Sequence, residues 1–115
     1  MADLNTLRDQ LRTFAAVRDW DQFHSPKNLA SALAVEAAEL LEKFQWLTEA
    51  ESRNLPPETI EGVRQEVADV LLYLIRISDK LDIDLIAAAQ AKMALNAQKY
   101  PVELSRGTSR KYDEV

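Results

Sequence analysis

Apolar residues recur at steps of three and four in four separate stretches of this chain, and that spacing admits little besides α-helices. Leu4, Leu7, Leu11 and Phe14 mark the first stretch, which opens near Asp3, a side chain suited to an N-cap. A break follows from Trp20 to Pro26. There Ser25 and Pro26 have the form of an N-cap followed by proline at the first helical position, and they open a second helix running to about Leu47. Pro56 and Pro57 end a polar connection and begin a third, which carries Ile60, Val63, Val67, Val70, Leu71, Leu74 and Leu81. A short joint at Asp82, Ile83 and Asp84 leads to a fourth, with Leu85, Ile86, Ala89 and Met93, stopped by Pro101. Residues 105–115 read as an extended polar tail. The chain has two glycines and is 47% hydrophobic, too glycine-poor for a loop-rich β fold and too apolar for disorder. The expected class is all-α, with a single domain over residues 1–104 and the tail at 105–115. A chain of 115 residues leaves no room for a second core.

Composition removes several functions. Without cysteine there is no disulfide framework, zinc-thiolate site or thiol nucleophile. The start, Met1 to Asn5, has neither a basic nor an apolar leader region, and no uncharged run approaches the ~20 residues of a membrane-spanning helix. A cytoplasmic protein that engages no membrane is the expectation. The net charge is −5 with no long basic run, which argues against nucleic-acid binding through the phosphate backbone. Any anionic ligand needs a local basic cluster or a metal cation as intermediary.

Two helices carry acid where a helix normally carries core. On the second, Leu29, Leu33, Leu40, Phe44 and Leu47 cluster on one side. Glu36 projects roughly 20° from Leu29, and Glu39 roughly 60° further round, with Trp46 along the same stripe. On the third, Glu66, Asp69 and Tyr73 form a stripe bordering Val67, Val70 and Leu74. Acids usually sit opposite the core, in water. If the two helices are antiparallel neighbours, four carboxylates converge in a partly dry groove, where some take up protons or cations sit among them. Oxygen-only ligands favour a hard divalent ion, with Mg²⁺ usual where phosphates complete the shell. Such an ion bridges an acidic protein to a triphosphate and activates water for attack on phosphorus. On the fourth helix Lys92, Asn96 and Lys99 make a stripe of donors able to hold phosphates. Trp20, Phe23, Trp46 and Tyr73 supply faces on which a base can stack.

These residues resemble a known family. Glu36-Ala37-Ala38-Glu39 and Glu66-Val67-Ala68-Asp69 match the E-x-x-E … E-x-x-D signature of the MazG-like nucleoside triphosphate pyrophosphohydrolases. The segments Arg18 to His24, Phe44 to Trp46, Asp69 to Tyr73 and Ser109 to Tyr112 are similar to the branch that acts on dCTP, so the likeness covers about Phe14 to Val115. The resemblance implies a four-helix bundle assembled as a homo-oligomer, a tetramer in this branch with a dimer as the alternative. It implies Glu36, Glu39, Glu66 and Asp69 as catalytic Mg²⁺ ligands. Trp20, His24, Trp46 and Tyr73 would frame the pyrimidine and sugar, and Lys92 and Asn96 would contact the triphosphate. Glu42, a turn beyond Glu39, is a further candidate for the metal shell. The implied substrates are dCTP and its 5-modified analogues, cut to the monophosphate and pyrophosphate, which points to nucleotide-pool sanitation.

Two other readings stand beside it, and a third is set aside. A broad dNTP- or dUTP-hydrolysing enzyme differs only in which polar groups meet the base edge. A non-catalytic helical interaction module would use the acids for helix register alone. A di-iron or di-manganese carboxylate bundle needs Glu-x-x-His on facing helices, and the one histidine, His24, lies outside the long helices.

Overall fold

The computed structural model describes residues 2–114, and all regular structure among them is helical. The chain divides into two compact units, Met1–Asp82 and Ile83–Val115. The first holds α1 (Leu4–Val17), α2 (Pro26–Glu42), the single turn α3 (Glu49–Ser52) and α4 (Pro57–Lys80), with a 3₁₀ turn at Asp21–Phe23. The second holds α5 (Leu85–Lys99), the short α6 (Val102–Ser105) and a 3₁₀ turn at Tyr112–Glu114.

Local chemistry sets most of these boundaries. The Asp3 side chain accepts from the Thr6 amide at 2.8 Å, Ser25 from Asn28 at 3.1 Å and Asp84 from Ala87 at 3.0 Å. Each quenches an amide that the first helical turn leaves without a partner. Pro26 and Pro57 occupy first-turn positions, where the missing N–H is no loss. The expectation that the second helix runs to about Leu47 needs correction, because α2 ends at Glu42. From there the amides of Lys43, Phe44 and Leu47 reach back only three residues, and the chain tightens into turns. The connection that follows is also more ordered than a polar linker. Thr48 and Glu51 form a reciprocal capping box around α3, at 2.8 and 3.1 Å.

In the first unit α4 packs along α2 and, less extensively, α1. The Lys43 side chain crosses Gly62 with its Nζ 3.4 Å from where a β-carbon would stand, and Glu36 meets Glu66 further along α4. Residue numbers therefore rise on one helix as they fall on the other, so α2 and α4 are antiparallel. Among the described residues the buried apolar ones are Ala15, Leu29 and Ile75, one each from α1, α2 and α4. On α2 the less exposed positions are 29, 32, 33, 36, 39 and 40, so Glu36 and Glu39 lie on the packed face. Much apolar surface stays open: Leu41 is 60% exposed and Trp46 87%.

In the second unit the tail is not extended throughout. Gly107 adopts φ +80, a conformation that glycine takes without strain, and the chain turns there. Tyr112 then meets Tyr100 edge-on, with ring centroids 6.1 Å apart, and the Lys99 ammonium lies 5.0 Å from the Tyr112 ring.

Candidate active site

The antiparallel pairing of α2 and α4 brings the two acid stripes together. Glu36, Glu39 and Glu66, all half-buried, each offer a carboxylate oxygen within 4.8 Å of the others. Asp69, one turn beyond Glu66 and also half-buried, lies near enough to act electrostatically on Glu36. Glu42 is exposed and stands outside this group. Oε2 of Glu36 and Oε2 of Glu66 are buried and meet no hydrogen-bond donor. Burial, reinforced by the neighbouring Glu39, Glu66 and Asp69, pushes the Glu36 carboxyl up to about 7.

Orphaned carboxylate oxygens facing other carboxylates form an all-oxygen, strongly negative donor set. A hard divalent cation satisfies both the charge and the lone pairs.

Next to the acids lies a cavity of about 220 Å³. Asp69 borders it, so the cavity and the acid cluster adjoin. Its apolar wall includes Leu11, Phe14, Trp20 and Tyr73, and its polar wall His24 and Arg76. Trp20 is set by Phe14, which it meets at 69° with ring centroids 5.7 Å apart. The Arg18 guanidinium covers the Phe14 ring at 3.5 Å.

The segment carrying Trp20 and His24 connects α1 to α2 and is tied down by charge. Asp19 takes φ +53, a left-handed conformation that turns the chain after α1. Gln22 steadies that turn by donating to the Asp19 carbonyl at 3.0 Å. Asp21 then pairs with Arg76 and Lys80 on α4, and this pairing, Lys80 foremost, holds its carboxyl below the usual range. Arg76 is 5% exposed and also donates from Nε to His24 Nδ1 at 3.1 Å. Desolvation, then Arg76 and Lys80, hold the His24 imidazole below its ordinary value. On the other side Arg12 of α1 grips Asp79 through two nitrogens, and that grip lowers the Asp79 carboxyl.

Among the sequence-predicted residues, the structure gathers Glu36, Glu39 and Glu66 into one cluster, and Trp20, His24, Tyr73 and Asp69 around one cavity. Trp46 follows α2 and is mostly exposed, outside that cavity lining. Lys92 and Asn96 lie one turn apart on α5, exposed, in the second unit. Leu11, Phe14 and Arg76 were not anticipated. Arg76 had a legible signal, since it continues the Glu66, Asp69, Tyr73 stripe by three residues.

Residues 32–115 match the model of the MazG-like family. The chain is 42% identical over 114 residues to dCTP pyrophosphatase 1 of Mus musculus, covering 97% of this chain and 67% of that protein. It is 41% identical to the Homo sapiens protein of the same name, with the same coverage. Among solved structures it resembles a pyrophosphatase from Archaeoglobus fulgidus with a TM-score of 0.77 at 40% identity, covering 88% of this chain and 94% of the other.

Proposed function

Because this chain belongs to the MazG-like family, we propose that it is a Mg²⁺-dependent pyrophosphohydrolase that converts dCTP and water to dCMP and pyrophosphate. The observation that carries the reading is the trio Glu36, Glu39 and Glu66, drawn together with two buried oxygens that lack donors. That arrangement is costly unless a cation is meant to complete it. The names of the relatives direct it to dCTP.

Glu36, Glu39, Glu66 and Asp69 are the proposed metal ligands. Mg²⁺, when bound, supplies charge neutralisation for the phosphates and polarises the reacting groups. Asp69 borders both the acid cluster and the cavity, so the reacting phosphates and the base of one nucleotide have adjoining places. Trp20 and Tyr73 offer their ring faces to the base, and the Phe14 edge keeps the indole in place before substrate arrives. Lys92 and Asn96 are the proposed phosphate contacts, and Trp46 a further base contact.

The active species is proposed to be a homo-oligomer, a tetramer in preference to a dimer. Few apolar side chains are buried within the chain, while Leu41 and Trp46 remain largely exposed. Among the described residues no helix is long and apolar enough to cross a membrane. A cytoplasmic role in clearing dCTP and 5-modified dCTP from the nucleotide pool fits this chemistry.

Product analysis by ion-exchange chromatography tests the proposal, using each dNTP with and without Mg²⁺. Conversion of dCTP to dCMP and pyrophosphate, lost without metal and in Glu36→Gln and Asp69→Asn, is expected. Equal turnover of dUTP or all dNTPs supports the broad-specificity reading instead. Release of orthophosphate means a different bond is cut, and no conversion under any metal favours a non-catalytic module.

A further inference from the structure

The contact between Arg76 and His24 decides more than where the imidazole sits. A guanidinium carries only donors and stays charged at any relevant pH. Its Nε–H points at His24 Nδ1 from 3.1 Å, so that nitrogen must present a lone pair. Turning the ring over would set a carbon against the same N–H. Adding a second proton would set N–H against N–H, beside both Arg76 and Lys80, with Asp21 already engaged by those two cations. A neutral imidazole with its lone pair at Nδ1 carries its proton at Nε2. The ring lines the 220 Å³ cavity, and Nε2 forms no hydrogen bond among the described residues.

We propose that Arg76 is a positioning residue that locks His24 in the Nε2–H tautomer, so that the cavity offers a fixed hydrogen-bond donor and selects a heterocycle presenting an acceptor there, a carbonyl oxygen or an unprotonated ring nitrogen. The inference rests on the cavity being the base site of the proposed enzyme. Arg76 is well built for the task. It is nearly fully buried, and Asp21 holds the other end of its guanidinium, so the donor cannot swing away. The polarity follows from the fixed donor. A base edge turning an N–H toward His24 meets a donor with a donor, and a site rejects such a mismatch strongly when its own group is left unpaired.

The chain has a single histidine, so its imidazole signals assign themselves. Long-range ¹H–¹⁵N correlation spectra of the full chain, labelled in histidine and free of metal, are expected to show a protonated Nε2 and an unprotonated Nδ1. A protonated Nδ1, or a rapid mixture of tautomers, overturns the proposal. In Arg76→Gln the preference is expected to collapse toward a mixture; an unchanged tautomer contradicts the role given to Arg76. Asp21 keeps Lys80 and Asp79 keeps Arg12 in that variant, so no carboxylate is stranded. His24→Asn supplies a second route, because its amide oxygen replaces Nδ1 as the acceptor for Arg76 while nothing replaces Nε2–H. Its KM for dCTP is expected to rise about tenfold with kcat little changed, and an unchanged KM counts against the donor. Titration of dCMP into the metal-free protein separates this inference from the proposed reaction. A displaced Nε2–H resonance upholds the donor even if no nucleotide is hydrolysed, and an unmoved resonance at saturating dCMP overturns it.

Discussion

Replacing Glu36 by glutamine is expected to stabilise the metal-free protein above pH 7 while removing most of its response to Mg²⁺. Glu36 is half-buried, its Oε2 meets no donor, and its carboxyl is pushed from the ordinary 4.5 up to about 7. That rise is equivalent to about 3 kcal/mol between the two protonation states. Partial solvation of the side chain reduces the usable share to about 1–2 kcal/mol. The folded value lies above the unfolded one, so the folded protein holds the extra proton between about pH 4.5 and 7. Stability from this group is therefore complete below the unfolded value, declines as pH rises, and is gone above about 7. Glutamine never ionises and escapes the decline. Mg²⁺ at a hundredfold excess over its Kd stabilises the wild type by about 2.7 kcal/mol, and most of that gain is expected to vanish with the ligand. Thermal melts followed by circular dichroism at pH 5 and pH 8, with and without Mg²⁺, read both effects, each kcal/mol moving Tm by about 4 °C. A variant less stable than wild type at pH 8 without metal, or one shifted equally by Mg²⁺, refutes the reasoning.

Asp79→Ala removes the carboxylate that Arg12 grips from α1 and that also stands beside buried Arg76; a loss of about 2 kcal/mol is expected in urea unfolding, because the Asp79 side chain is only 12% exposed. Trp20→Ala is expected to raise KM for dCTP about tenfold or more, the usual worth of a base stacked on an aromatic ring, with Mg²⁺-induced stabilisation unchanged. Sedimentation velocity at micromolar protein is expected to show a species heavier than the 13.0 kDa chain; a single-chain mass contradicts the proposed assembly.

The helical class and the caps at Asp3 and Ser25 were legible because they are local, and the cap at Asp84, read only as part of a joint, obeys the same rule. Asp3, Ser25 and Asp84 each precede an amphipathic run and bond the amide three residues on. The convergence of Glu36, Glu39 and Glu66 was legible too, since the i, i+3 spacing puts the acids at the edge of apolar faces, and antiparallel packing of α2 and α4 did the rest. The end of α2 was not, because no glycine or proline marks Lys43 to Leu47, and the tightening there shows only in its hydrogen bonds. The Thr48-x-x-Glu51 box stood in the sequence but governs a single turn, too short to carry a helical period. The burial of Arg76 was hardest to read, because arginine is rarely buried unless paired, and its hydrogen-bond partners His24 and Asp21 come from more than fifty residues away.

Crystals soaked in Mn²⁺, with anomalous differences measured at the manganese edge, test the central claim most directly. A peak at coordination distance from Glu36, Glu39 and Glu66 is the predicted result. An acid cluster without a peak, or manganese bound only elsewhere on the chain, would contradict the account.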